Sequence, residues 1–135
     1  VILVGCGSQK LREPSQAQHL YTGNLFRLSW QYAERLEPDA RHIISGLYHL
    51  LNPEEIVSSY QFNLNNQPIA VRREWANNVV DQLNELYNLQ EDEFILLAGA
   101  KYVEYIVPHL TNHELPLEGM NQGQRLQFLS NAVNG

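Results

Sequence analysis

The chain has 135 residues, which suits one domain with a single core. Nine basic residues against fifteen acidic ones give a net charge of −6, which excludes a surface that is basic throughout. No apolar run approaches the roughly 20 residues of a membrane span, and one cysteine excludes an internal disulfide. We therefore expect a single soluble domain, residues 1–135, located in the cytoplasm and without a membrane partner.

Three apolar segments, each ending in a glycine or directly followed by one, are predicted to be strands. They cover residues 1–4, 42–46 and 94–99. Apolar runs without polar alternation are typical of strands covered on both faces, as in a parallel sheet. A short fourth strand is predicted over residues 114–119, at a sheet edge because Pro116 cannot donate to the ladder.

Helices are predicted between these strands from apolar residues at helical spacing. They cover residues 24–36 with Asn24 as the cap, residues 68–87, residues 100–110, and a last helix from Asn121 towards Val133. In the second helix Trp75, Val79, Leu83, Leu86 and Tyr87 form the inner stripe, and Arg72 and Arg73 face water. Residues 11–23 and 46–67 are predicted loops, the second with a helical turn over residues 52–55.

Alternating strands and helices predict a three-layer α/β domain with a mainly parallel sheet of about four strands. In such a sheet the carboxyl ends of the strands lie at one edge, where ligands bind. The predicted loops at that edge are residues 6–10, 45–48, 99–102 and 119–124.

The loop after the first strand has the composition of an anion-binding loop. Glycines let backbone amides approach an anion, Ser8 adds a donor and Lys10 adds a charge. Cys6, Gly7, Ser8 and Lys10 are therefore candidate ligand-binding residues, with a tight turn as the alternative. Cys6 is a nucleophile only if its thiolate is stabilised, and a lone cysteine is more often a small core residue.

Tyrosines near the other strand ends are candidates to border a flat base while hydrogen-bonding through their hydroxyls. They are Tyr21, Tyr48, Tyr60 and Tyr102. The alternative is that these side chains cap the core with a polar end.

Glycines also precede the last two predicted helices, which favours an anion at each helix start. The binding candidates there are Gly99, Lys101, Gly119, Gly123, Gln124 and Arg125. Ordinary helix entry is the alternative. For catalysis, Glu118 and Ser45 are the candidate residues, and no spacing of His, Cys or acids predicts a metal site.

Motifs along nearly the whole chain resemble a bacterial, phage and archaeal domain family of unknown function, related to the YaaA-like peroxide-stress proteins. The matching segments are residues 6–10, 20–26, 44–53, 97–102 and 116–119, with Tyr60, Trp75, Gly123 and Leu126. The resemblance implies an α/β fold and an association with nucleic acids, stress and base modification. The helix-hairpin-helix segment attributed to YaaA-like proteins is not visible in this chain.

The resulting hypothesis is a domain that binds a nucleobase, nucleoside or nucleotide-like ligand at the strand ends. If it is an enzyme, we expect glycosidic-bond chemistry assisted by Glu118 or Ser45, and no cofactor is predicted. The alternatives are a non-catalytic module that binds DNA or a protein through the same edge, and a fold whose pocket is vestigial. The sequence does not predict an oligomeric state.

Overall fold

The computed structural model describes all 135 residues. Its strands and helices are β1 (Ile2–Gly5), β2 (Ser15–Gln16), α1 (Ala17–Leu20), α2 (Asn24–Arg35), β3 (Arg41–Ser45), β4 (His49–Leu51), β5 (Ile56–Val57), α3 (Ile69–Leu86), β6 (Glu93–Leu97), α4 (Ala100–Val103), β7 (Asn112–Glu114) and α5 (Gln122–Asn134). Two 3-10 turns, Leu64–Asn66 and Val107–His109, precede α3 and follow α4. None of the helices combines the length and apolar character needed to cross a membrane.

A five-stranded sheet in the order β4-β3-β1-β6-β7 forms the centre of the protein. Strands β3, β1, β6 and β7 are mutually parallel, and β4 returns antiparallel to β3. In the middle of the sheet Val4 lies opposite Ile43 on one side and Leu97 on the other. Strands β2 and β5 form a separate antiparallel pair.

Helices cover both faces of this sheet. Leu3 packs into one core cluster with residues of α3 and α4, whereas Ile2 and Val4 pack into another with residues of α2 and α5. These three β1 side chains are at most 1% exposed. Burial on both faces explains the uninterrupted apolar run, and the three-layer α/β prediction is confirmed.

The two predicted loops, residues 11–23 and 46–67, contain strands and a helix that were not predicted. Residues 11–23 include β2 and α1, because Ala17 and Leu20 are fully buried and fix this segment against the core. Residues 46–67 include β4 and β5. The predicted helical turn at residues 52–55 is a single turn, closed by the Glu55 amide donating to the Asn52 carbonyl oxygen at 3.1 Å, and it does not extend into a helix.

Several helix and strand boundaries also differ from the predicted ones. Gly23, with extended backbone, caps α2 in place of Asn24. Helix α4 ends at Val103, well before residue 110, and Pro108, which lacks a backbone amide, lies in the 3-10 turn that follows. Strand β7 begins and ends earlier than the predicted fourth strand, so Pro116 lies outside it. The edge position of this strand is confirmed.

Arg72 is buried, contrary to the predicted water-facing position on α3. It is 9% exposed, forms an ion pair with Glu104 just beyond α4, and donates from Nε to the Gln67 carbonyl oxygen at 3.2 Å. The Arg72–Glu104 ion pair therefore ties α3 to the segment that follows α4.

Leu86, predicted to lie on the inner stripe of α3, is 57% exposed.

His42 is a buried titratable group in β3. It is 5% exposed and its Nε2 atom hydrogen-bonds the Tyr87 hydroxyl, while its Nδ1 atom is buried without a partner. Burial lowers the pKa of His42 below its ordinary 6.5, and weaker interactions with Leu51, Asn52 and Glu55 oppose the shift. The folded protein thus binds a proton at this site less readily than the unfolded chain does.

We expect this histidine to make stability depend on pH. The unfolded chain takes up the proton as the pH falls below about 6.5, so the free energy of unfolding should fall from pH 7 towards pH 5. Chemical denaturation across this range measures the slope. The His42→Gln variant should show a shallower slope, and equal slopes for the two proteins would refute the assignment. His49, whose pKa is also lowered by burial, contributes to the slope in the same direction.

Candidate functional site

The carboxyl ends of β3, β1 and β6 lie side by side because these strands are adjacent and parallel. From β1 the chain crosses through α2 on one face of the sheet towards β3. From β6 it crosses through α4 on the other face towards β7. The carboxyl ends of β1 and β6 therefore form the switch point, the place where parallel α/β sheets bind ligands.

The two strands approach each other closely at the switch point. A Cβ atom added to Gly5 would lie 2.8 Å from the Cβ atom of Ala98, which immediately follows β6. Only glycine fits at the end of β1 without movement of a neighbour. Gly5 therefore brings Cys6 next to the start of α4.

Cys6 and Tyr102 meet across the switch point. The Cys6 Sγ atom lies 3.5 Å from the Tyr102 hydroxyl, and the cysteine is a partly exposed free thiol. The Tyr102 ring stands edge-on to Trp75 with 5.4 Å between ring centroids. Trp75 Nε1 donates to the Ser45 carbonyl oxygen at 2.8 Å. One indole from α3 thus connects the end of β3 with the tyrosine of α4.

Three hydroxyls at the end of β3 form a chain that we call the hydroxyl cluster: Ser45, Tyr60 and Tyr21. The Tyr60 hydroxyl lies 2.7 Å from the Ser45 hydroxyl and 2.8 Å from the Tyr21 hydroxyl. Ser45 Oγ also accepts the Tyr48 amide at 3.0 Å. Ser45 and Tyr21 are buried, so the hydroxyl cluster fixes the position of the partly exposed Tyr60.

Lys10 lies over this cluster. A backbone bridge to Tyr21 holds it in place, its Nζ atom donates to the Ser8 carbonyl oxygen at 3.2 Å, and it lies 4.3 Å from the Tyr60 ring centroid. The geometry is that of a cation over an aromatic face. Burial lowers the pKa of Lys10, and the nearby Cys6 opposes part of the shift.

Burial raises the pKa values of the site tyrosines, and the proximity of Cys6 raises them further. The pKa of Tyr21 rises to about 12, and those of Tyr60 and Tyr102 also move upwards. All three phenols remain protonated at neutral pH. They are hydrogen-bonding groups there, not general bases.

Two other predicted residues contact the chain beside the cluster. The Tyr48 hydroxyl donates to the Ser58 carbonyl oxygen at 3.0 Å, and its ring stands edge-on to Tyr60. Lys101 donates to the Asn65 carbonyl oxygen at 3.0 Å on the exposed surface. Lys101 therefore connects the start of α4 to the 3-10 turn that precedes α3.

The start of α5 approaches the switch point through Arg125. Its Nη1 atom lies 3.7 Å from the position that a Cβ atom would occupy at Gly99. The Nε atom is buried, and the guanidinium has no hydrogen-bond acceptor. The only ion pair of the chain joins Arg72 and Glu104, so neither Arg125 nor Lys10 has a carboxylate within 4.0 Å.

The remaining predicted residues near the start of α5 cap that helix or are exposed to solvent. Gln124 and Asn121 form a reciprocal capping box for α5. Gly119 has a positive φ of 76°, which favours glycine, and Gly123 is exposed beside the cap. The Glu118 side chain is exposed and makes no hydrogen bond, and no contact joins it to the hydroxyl cluster.

The structure therefore brings together part of the predicted set: Cys6, Lys10, Tyr21, Ser45, Tyr60 and Tyr102. It also shows Trp75, whose place at the site was not predicted, and the close packing of Gly5 against Ala98. Two open hollows of about 610 and 520 Å³ lie elsewhere, near the amino ends of β6 and β3, and no predicted site residue lines them.

These features define a three-layer α/β domain with a thiol, phenolic hydroxyls and unpaired cations at its strand ends. The chain belongs to a family of unknown function, DUF6884, whose model matches residues 1–131. A UPF0246 protein of Shewanella pealeana is 31% identical over 100 residues, covering 69% of this chain and 38% of the relative. A UPF0246 protein of Shewanella halifaxensis is 29% identical over 79 residues, covering 54% of this chain and 31% of the relative.

The predicted resemblance to the YaaA-like family is thereby confirmed. The chain spans about a third of the length of these curated relatives.

Proposed function

We propose that the domain binds a nucleotide-like ligand at the switch point. The observation that carries this proposal is the contact of the Cys6 thiol with the Tyr102 hydroxyl there, with the Lys10 ammonium over the hydroxyl cluster at the end of the adjacent strand β3. Lys10 and Arg125 have no carboxylate partner, although acids outnumber bases in the chain. Unpaired cations beside hydroxyls suit an anionic ligand that carries hydrogen-bonding groups.

The reaction that we assign to this site is cleavage of a glycosidic bond. In this proposal Glu118, which is exposed and lies outside the hydroxyl cluster, is the carboxylate that activates a water molecule once a ligand is bound. The Ser45 hydroxyl is fully buried and engaged with Tyr60 and the Tyr48 amide. In this proposal Ser45 is a positioning residue that holds Tyr60 in place.

Incubation with nucleosides and nucleotides, followed by chromatographic measurement of released base, tests the reaction. We expect base release that falls by about 10²-fold or more in Glu118→Gln, the range lost when a general base is removed. Glu114→Gln, another exposed carboxylate three residues into β7, is the matched control and should retain full activity. Ligand-induced amide shifts in residues 6–10 and 99–102 without base release would support binding and refute catalysis.

A second candidate is a non-catalytic module that binds single-stranded DNA through the same edge. It is favoured by the basic side chains there, Lys10, Lys101 and Arg125, none of which has an ion-pair partner. This candidate requires oligonucleotide binding that weakens steeply with salt and no released product. Binding of a mononucleotide with little salt dependence would favour the first candidate instead.

A further inference from the structure

The aromatic rings of the site are already in contact with protein groups. Tyr21 is 1% exposed and packs against Phe26 with 5.2 Å between ring centroids. Tyr60 has the Lys10 ammonium over its ring, and the Tyr48 and Tyr21 rings stand at 89° and 79° to it. Tyr102 meets Trp75 edge-on. A flat base gains little stacking from rings that are engaged in this way.

The polar groups of the site, in contrast, retain hydrogen-bonding capacity. Lys10 has three N–H donors, and its single hydrogen bond goes to the Ser8 carbonyl oxygen. The Tyr102 hydroxyl has only the weak contact to the Cys6 thiol. Both are suited to the oxygen atoms of a sugar or a phosphate.

The Arg125 side chain has hydrogen-bond donors but no acceptor within the protein. Its guanidinium carries five N–H donors and makes no hydrogen bond within the protein; the Nε atom is buried, while the residue as a whole is only half-buried. The buried Nε–H is a polar group without a partner, and such a group calls for an explanation. A phosphate can accept two parallel hydrogen bonds from one guanidinium. At Gly99 the lack of a side chain leaves the space beside Nη1 open.

We infer that the site recognises the sugar-phosphate portion of its ligand, with Arg125 binding the phosphate and Lys10 and Tyr102 binding sugar hydroxyls. In this inference the site does not recognise the base. This inference rests on the proposed function and narrows it to phosphorylated sugars, either free or as part of a nucleotide.

The test compares four probes by calorimetry and by amide shifts: ribose 5-phosphate, adenosine 5′-monophosphate, adenosine and adenine. We expect ribose 5-phosphate and the nucleotide to bind within about threefold of each other. Adenosine, which lacks the phosphate, should bind at least about 10-fold more weakly, the loss expected for one charge-assisted interaction. Tighter binding of adenosine than of ribose 5-phosphate would overturn the inference but leave the proposed function standing.

Variants of Arg125 test whether this residue binds the phosphate. Arg125→Gln should weaken ribose 5-phosphate binding at least about 10-fold. Arg35→Gln is the matched control, since it removes one charge from the exposed last turn of α2, and it should change binding less than about twofold. Equal effects of the two variants would overturn the assignment of Arg125.

Arg125→Lys keeps the charge but loses the paired geometry, so it tests the same contact if Arg125→Gln does not fold. It should bind ribose 5-phosphate several-fold more weakly than the parent protein, and unchanged binding would count against the inference. Absence of amide shifts with all four probes would refute the proposed function itself, and the inference with it.

Discussion

Replacing Trp75 by alanine will lower the free energy of unfolding by about 3–5 kcal/mol, as expected for loss of a large buried aromatic side chain. Trp75 is 4% exposed and lies in the core cluster between α3 and the sheet. Alanine also removes the indole donor to the Ser45 carbonyl oxygen and the ring contact with Tyr102. For a chain of this length the midpoint of thermal unfolding should fall by roughly 10–20 °C.

A matched control is available on the same helix. Leu86→Ala truncates a side chain that is 57% exposed, so we expect a change below about 1 kcal/mol. Trp75→Phe keeps most of the apolar volume but leaves the Ser45 carbonyl oxygen without its donor, which should cost about 1–3 kcal/mol. Similar denaturation midpoints for Trp75→Ala and Leu86→Ala would show that the core contact is misassigned.

The central strands and the long helices could be predicted because their patterns are local. Strands β1, β3 and β6 are buried on both faces. An uninterrupted apolar run is the sequence pattern typical of such strands. The same criterion missed β4, which has only three residues and pairs antiparallel with β3 through a short turn. Short strands depend on a partner, and the partner is not visible in local sequence.

Arg72 and Leu86 show why helical periodicity gave the wrong surface on part of α3. Arg72 is buried because Glu104, 32 residues later in the chain, supplies a carboxylate for it. Leu86, the last residue of α3, is exposed although Leu83 in the same turn is fully buried. Both outcomes depend on tertiary neighbours, which the spacing of apolar residues within one helix does not encode.

At the site, chain topology was predictable but contacts were not. Parallel strands place residues 6–10, 45–48 and 99–102 at one edge, and the sequence indicated this alternation. It did not indicate that Ser45 would be buried beneath Tyr60, or that Gln124 would cap α5. The Ser45 hydroxyl and the Gln124 side chain already form hydrogen bonds within the protein. They can therefore form fewer hydrogen bonds to a ligand than their residue types alone suggested.

Gly5 links this topology to the geometry of the site, and Gly5→Ala is expected to cost about 1–3 kcal/mol through overpacking. The added Cβ atom would lie 2.8 Å from the Ala98 Cβ atom and 3.3 Å from its Cα atom, so one of two central strands must shift. That shift would separate Cys6 from Tyr102. Amide shifts in residues 6–10 and 99–102 should therefore change together with the free energy of unfolding.

Two further variants isolate the cause. At Gly7 an added Cβ atom meets only the Phe26 Cβ atom at 3.8 Å, so Gly7→Ala should range from neutral to about 1 kcal/mol more stable. Ala98→Gly removes the group that Gly5→Ala strikes, and the double variant should therefore recover part of the lost stability. A double-mutant cycle measures this coupling. If the two substitutions prove additive, the close approach of β1 and β6 does not set the separation of Cys6 and Tyr102.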